Sequence, residues 1–318
     1  MKINMAFFAA LTIAVISFSG CKKDKQLNPA SNVDSKTALN SFHSRNSVPL
    51  EHFTFNASTG GTFTSSKGTK ITVPANCFVN GNNSAITGNV TIGFKDIYKK
   101  SDMLFSNVST NFFNGTPLVS GGEFFINING QDSLIFIAQS KNIDIEQPAQ
   151  AVDNNMQPMV IPKKDTIPGV ANVPNGWVIS GSDAISFSPS SYVFSLYEFN
   201  TPASAGTWCN SDNPTYFSAF TQTSLSIVNN ESYAIEVFLV FKNENSMVHV
   251  YYSGDTWHNN YDYAPVGKEC TVVAMGYDTD GKLKACFKPI TITDNSTVSL
   301  DFSTISEDDF KTKVKALD

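Results

Sequence analysis

Charge is scarce in this chain. Asp, Glu, Lys and Arg make up 16% of its 318 residues, against about 25% in an average soluble protein. The formal charge is −6, and basic residues cluster nowhere beyond Lys22, Lys23 and Lys25. A nucleic-acid footprint needs a basic patch or stripe, so nucleic acid is not an expected partner. Histidine is rarer still, at His43, His52, His249 and His258. The chain has no HExxH, no CxxC, no Gly-x-Ser-x-Gly and no phosphate-cradling glycine loop. No motif for metal-assisted hydrolysis, acyl transfer or phosphoryl transfer is therefore recognisable. The expectation is a non-enzyme with no cofactor. Long apolar runs are also missing. The longest, Ala6 to Phe18, is too short to span a hydrocarbon layer of ~30 Å as a helix.

What is abundant points to sheets. Apolar residues reach 41%, enough for a packed core, and phenylalanine alone occurs 25 times. Aromatic and β-branched residues suit a pleated, half-buried surface, and Asn, Ser and Gly suit the turns between strands. At ~150 residues per domain the length predicts about two domains. From Phe53 onward the pattern has period two. Lys70-Ile71-Thr72-Val73 alternates and stops at Pro74, and Val90, Ile92 and Phe94 share one face. Glu123–Ile128 and Ser133–Ile137 flank a turn, and Trp177–Ile179 and Tyr192–Phe199 follow a proline-rich stretch, 147–176, read as a strap. Ser232–Phe241, Met247–Tyr252, Cys270–Tyr277 and Leu283–Ile292 are further strands. Short strands at ~10–15-residue spacing predict an all-β chain of two antiparallel β-sandwiches, 51–212 and 213–318. A short helix closes it, with Ser306 as N-cap, acids in its first turn, and Phe310, Val314 and Leu317 on its apolar face.

The N-terminus carries an address. Lys2 and the apolar run are followed by Phe18-Ser19-Gly20-Cys21. This resembles the bacterial lipobox, with residues 1–20 as signal peptide and Cys21 as the lipidated first residue of the mature chain. Fatty acyl chains on Cys21 contribute ~0.8 kcal/mol per buried CH₂, so three chains imply lasting attachment to a membrane. Lys22, in place of the aspartate that signals inner-membrane retention, and the nearby Asp24 resemble the export signal of Bacteroidota-type lipoproteins. That resemblance implies an outer-membrane or cell-surface location. Residues 21–50 have few apolar positions and are expected to be a flexible tether, spanning roughly 30 Å if fully coiled.

Two stretches carry a family resemblance. Ser58–Ile126 holds Gly60-Gly61, an alternating strand into Val73-Pro74-Ala75, then Asp102-Met103-Leu104 and Ser120-Gly121-Gly122. It resembles the ZU-type β-sandwich and uncharacterised lipoproteins of Bacteroidota. Ala264-Pro265-Val266-Gly267 through Phe302 resembles the end of the same proteins and prealbumin-like sandwiches. In such proteins a Gly-Trp-x-Asn-Cys-Asp run lies between the blocks. Here Thr207-Trp208-Cys209-Asn210-Ser211-Asp212 occupies that interval in a different order. The resemblance implies fold and no activity.

Four cysteines remain after Cys21: Cys77, Cys209, Cys270 and Cys286. If the hairpin centres on Thr279-Asp280, Cys286 faces Val273 and Cys270 faces Pro289. These two are therefore not expected to be joined, since bridging needs Cα atoms within ~7 Å. Free buried thiols or one long-range bridge are both compatible with the spacing. Asp278-Thr279-Asp280-Gly281 opens like a calcium loop but lacks its later carboxylates, and a hairpin turn accounts for it. The segment Tyr251–Tyr263 sets rings beside Asn and Asp, a combination suited to a sugar: faces stack on C–H groups and acceptors take hydroxyls. Trp257, His258, Tyr261 and Tyr263 are its candidate ligand-binding residues. The expected partners are the membrane, through the acyl chains, and a glycan or an envelope protein. An accessory subunit of an envelope complex is the alternative.

Overall fold

The computed structural model describes residues 34–131, 134–162, 176–199, 203–250 and 258–318. Residues 1–20, expected to be a signal peptide, and Cys21 lie outside the described residues. In chain order the elements are α1 (Ser35–Asn46), β1 (Glu51–Asn56), β2 (Gly61–Thr64), β3 (Lys70–Val73), β4 (Phe78–Asn80), β5 (Asn89–Ile97) and α2 (Lys100–Ser106). There follow β6 (Val119–Asn129), β7 (Ile135–Ile137), β8 (Ile143–Pro148), β9 (Gln157–Val160), β10 (Val178–Ile179), β11 (Ala184–Ser188), β12 (Ser191–Leu196) and β13 (Thr207–Asn213). The second half holds β14 (Gln222–Val228), β15 (Ile235–Phe241), β16 (Met247–Val250), β17 (His258–Pro265), β18 (Glu269–Tyr277), β19 (Leu283–Thr291), β20 (Thr297–Ser299), β21 (Ser303–Thr304) and α3 (Glu307–Lys315). The protein is all-β, built as two antiparallel sandwiches with a short C-terminal helix.

The first sandwich stacks a front sheet, β1-β5-β6-β13-β9-β10, on a back sheet, β11-β12-β8-β3-β2. Alternation decides which residues lie between them. Val90, Ile92 and Phe94 of β5 and Phe124, Ile126 and Ile128 of β6 are fully or almost fully buried and meet Ile145 and Phe194 from the back sheet. Phe124 stacks on Phe94 at 5.7 Å and meets Phe194 edge-on at 5.2 Å, the offset arrangements that ring quadrupoles favour. The second sandwich stacks a large sheet, β16-β15-β18-β19-β21, on a small one, β17-β14-β20, whose β14–β20 pair is parallel. Its core joins Leu225 and Ile227 to Val237, Leu239, Val272 and Ala274.

The large sheet is buried on its other face too. Phe238, Val240, Val273, Met275 and Leu283 pack under Leu39 and Phe42 of α1, Met103 to Phe105 of α2, and Phe310 and Val314 of α3. This corrects the tether over its second half. Asp34 caps α1 by accepting from the Thr37 N–H, and Leu39, Phe42 and His43 are buried. Isolated helices of this length are marginal in water, so α1 exists because that face docks. The strap is corrected as well: part of it forms β9, paired with β13, and 163–175 lie outside the described residues.

The two sandwiches are stitched together. The Thr110 N–H donates to Met247 O at 2.8 Å, the His249 N–H to Asn111 Oδ1 at 2.8 Å, and the Ser120 N–H to Asn245 O at 2.9 Å. A loop of the first unit thus runs along edge strand β16 of the second. An edge left open would present unpaired backbone groups, and this one is covered. All four described cysteines are free and buried. Cys286 faces Ala274, not Val273, and Cys270 faces Ile290, not Pro289. The turn has five residues, with the Asp278 N–H donating to Lys282 O and Gly281 at φ +75°. The extra residue moves the register by one and keeps the two cysteines apart.

Candidate functional site

The expected aromatic segment is only partly described. Trp257 lies outside the described residues, and of His258 only its strand position, opposite Val228, is described. Tyr261 is 5% exposed and donates its hydroxyl to Gly115 O at 2.8 Å. Tyr263 is half-buried, and its ring lies so close to Gly115 that a Cβ there would be 2.8 Å from it. Tyr261 therefore has no free ring face for a sugar. Both tyrosines hold a loop of the first sandwich against β17.

A different place gathers polar groups. An open cleft of about 870 Å³ lies where the two sandwiches meet. Its walls come from Tyr98 and Lys99 before α2, the start of β6, the 148–156 segment, Tyr192 of β12, and Asn245 from the β15–β16 turn. A smaller depression of about 520 Å³ shares Tyr98, Lys99 and Asp318 with it and extends to Lys67 and Lys315. Charges at the rim are mostly paired: Lys67 reaches Asp102 at 2.7 Å, and Lys99 lies 3.8 Å from Asp318. Lys100 is buried and donates to Phe241 O at 2.6 Å. Tyr192 accepts from the Asp153 N–H and donates to Ala151 O, which ties the 148–156 wall to the back sheet.

The floor of the cleft includes Ser120 and Gly121, and with Gly122 they form a stretch of unusual local geometry. Between Asn210↔Glu123 and Asp212↔Ser120 the ladder of β6 and β13 shifts register. Two glycines on β6 thus oppose one residue, Ser211, which is a β-bulge. Gly122 adopts φ +140°, and a Cβ there would sit 2.5 Å from Tyr98 Cε1. In a regular strand Ser120 and Glu123 would point to opposite faces. The bulge turns them to the same face, together with Asn210 and Asp212 of β13.

Four polar side chains therefore converge behind the floor. The Ser120 hydroxyl donates to Asn210 Oδ1 at 2.9 Å. Asn210 Nδ2 donates to Asp212 Oδ2 at 2.8 Å and, more loosely, to Glu123 Oε1 at 3.4 Å. Glu123, Asn210 and Asp212 have no exposed surface, and Ser120 has 4%. Burial pushes both carboxyls well above the usual carboxylate range. The neighbouring Asp212 charge adds to this at Glu123, while the Ser120 hydroxyl works against it at Asp212. On the opposite face the Ser211 hydroxyl donates to Gln147 Oε1 at 2.7 Å, and Gln147 Nε2 donates to Gly122 O at 2.7 Å. A buried polar strand beside an apolar core is visible in the run Asn210-Ser211-Asp212-Asn213. Neither alternating nor apolar, the run carries no strand signal, and it stood out only as a departure in order from the run of similar proteins.

A second polar group lies apart, under α1. His43 places Nε2 2.6 Å from Glu236 Oε2 and Nδ1 3.2 Å from Phe105 O. Burial pushes the nearby His249 imidazole down to about 4; Glu236 opposes this shift and His43 adds to it. Burial also pushes the thiols of Cys77 and Cys270 up to about 12, which makes them poor nucleophiles.

No family model and no curated protein matches the chain. Among solved structures, the Abundant Perithecial Protein (APP) from Neurospora crassa is similar to it at 9% identity, covering 49% of this chain and 98% of that one, with a TM-score of 0.16. A likeness at that score carries no argument.

Proposed function

We propose that the chain is an acyl-anchored protein of a bacterial outer envelope that holds a glycan without converting it. Attachment through Cys21 keeps the sandwiches beside the membrane. The junction cleft is the observation that carries the binding half of this reading. Its volume, about 870 Å³, lies in the range of small-molecule sites. Amide, hydroxyl, ammonium and carboxylate side chains line it beside the rings of Tyr98 and Tyr192. Hydroxyl-rich ligands need such convergent donors and acceptors next to flat apolar faces. The non-catalytic half rests on placement: Glu123 and Asp212, the carboxyls raised most by burial, lie behind the floor and are not among the residues that line the cleft.

Glycan-array retention of the mature chain carrying Cys21→Ser tests the binding. Wild-type side chains should retain at least one glycan, and Lys99→Ala with Gln150→Ala should reduce retention by tenfold or more. No retained glycan overturns the reading. Loss with Trp257→Ala but not with the cleft pair moves the ligand to the 251–263 segment. Radiolabelled palmitate should enter the wild type and not Cys21→Ser.

A second reading, an accessory subunit of an envelope complex, is favoured by one observation. Ile179 on edge strand β10 and Phe187 on edge strand β11 are 49% and 41% exposed and flank a shallow groove. A stoichiometric partner co-purifying from membranes and lost with Phe187→Asp would support it.

A further inference from the structure

The Ser120–Glu123–Asn210–Asp212 cluster is incomplete as it stands. Among the described residues only four buried side-chain atoms lack a hydrogen-bond partner, and Glu123 Oε2 and Asp212 Oδ1 are two of them. Both belong to side chains with no exposed surface. Both carboxyls also approach one atom, Asn210 Nδ2, so they face a common point. Among the described residues no lysine, arginine or histidine forms an ion pair with either. Two carboxylates removed from water without a counter-charge are costly. Protonating one carboxyl still leaves a buried charge with no cationic partner among the described residues.

We propose that Glu123 and Asp212 hold a hard divalent cation of the calcium type, with Asn210 as a further oxygen ligand. The amide of Asn210 can turn by 180° without changing its shape. Turned, its carbonyl oxygen replaces Nδ2 between the carboxylates, and its NH₂ donates to the Ser120 hydroxyl. The cation then neutralises two charges, and bidentate binding by each carboxylate would engage the orphaned Oε2 and Oδ1 beside Oε1 and Oδ2. Carboxylate, amide and hydroxyl oxygens are the ligands that such ions select, and the remaining coordination positions suit water or backbone carbonyls. The Gly121-Gly122 bulge is what makes the set possible, since it places Ser120 and Glu123 on one face. The site lies one hydrogen bond behind the floor of the cleft. The ion would fix the junction of the sandwiches, and it does not depend on what the cleft binds.

The purified mature chain, stripped with EDTA during unfolding and refolded, is melted with and without CaCl₂. At a hundredfold excess over Kd, calcium should raise the melting temperature by about 5 °C, and metal analysis should find about one ion per chain. Terbium should give emission sensitised by Trp208, two residues before Asn210 on the same strand face, and calcium should displace it. Asp212→Asn should lose the terbium signal and the thermal response. A stripped wild type that melts at the same temperature with and without CaCl₂ overturns the proposal, and needs no variant to do so. A calcium response retained in Asp212→Asn and in Glu123→Gln overturns it too, because the ion would then sit elsewhere.

Discussion

Two sheet faces are buried at the centre of this protein, and they are buried in opposite ways. The outward face of the large sheet in the second sandwich is apolar and lies under three helices, with Phe238, Val273 and Met275 meeting Phe42, Leu104 and Phe310. The outward face of the front sheet in the first sandwich is polar where β6 and β13 meet, with Glu123, Asn210 and Asp212 fully enclosed. The first arrangement needs no explanation beyond area removed from water. The second loses hydration of two carboxyls and leaves two oxygens without a partner, so burial alone does not account for it. One face is a fastening and the other is a site.

The largest effect that separates them is on the apolar side. Phe310 is fully buried and meets Phe42 at 5.7 Å and Phe287 at 5.5 Å. Phe310→Ala should cost about 3–5 kcal/mol, read as a lower denaturant midpoint. Glycan retention should survive in whatever fraction stays folded, because the cleft takes no side chain from the buried face of α3. Loss of binding without loss of stability would break the distinction between the two faces.

How far the sequence made this legible follows the same division. Period-two runs such as Val90-Ile92-Phe94 disclosed the sandwich, and Ser306 three residues before Asp309 disclosed the cap of α3, whose Oγ accepts the Asp309 N–H. α1 was hidden because Leu39 and Phe42 are the only large apolar residues on its buried face, and it is ordered by what it packs against. The continuous apolar runs of β15 and β18 were a signal that both faces of the large sheet are covered, and they could have foretold the helices above it. The polar site was not legible, because the bulge is what brings Ser120, Glu123, Asn210 and Asp212 together. No period in either strand shows that. The aromatic segment was legible as composition, but Tyr261 is committed to Gly115 in a loop far away in sequence.

Acid should loosen the apolar side next. Burial holds His249 near 4 in the folded chain, against 6.5 for the free side chain. The unfolded chain therefore binds the extra proton between these values, and stability falls as pH drops from about 6.5 to 4, by up to about 3 kcal/mol. Although burial raises the Glu236 carboxyl, its hydrogen bond and charge interaction with His43 leave it below its ordinary value, so it acts in the same direction at lower pH. Without a cation, Glu123 and Asp212 would act in the opposite sense, because their raised carboxyls favour folding in acid. The difference in unfolding free energy between wild type and His249→Gln isolates the histidine. That difference should shrink or reverse in favour of the variant as the pH drops to 4.

On the polar side, Gly122→Ala should cost about 1–3 kcal/mol, the range for a residue held in a conformation it resists. At φ +140° an added Cβ would also meet Tyr98 and Gln147. The same change should abolish terbium emission, since it removes the bulge that orients Glu123. A variant that keeps the emission would show that the bulge is not what assembles the ligands.

The smallest effect tests whether the helical cover behaves as one piece. Ser306 accepts the Asp309 N–H at 3.1 Å and donates to Asp309 Oδ2 at 2.7 Å. Ser306→Ala should cost about 1 kcal/mol, and Ser306→Asp should restore most of it, because the aspartate oxygen can take over the backbone bond. Hydrogen exchange then shows where the loss is felt. If only the amides of α3 exchange faster, its first turn frays alone and Phe310 remains docked. If the amides of α1 quicken with them, the two helices share one cooperative unit over the large sheet, as the contact of Phe42 with Phe310 requires. In neither case should β6 and β13 respond, since the polar face draws nothing from that cap.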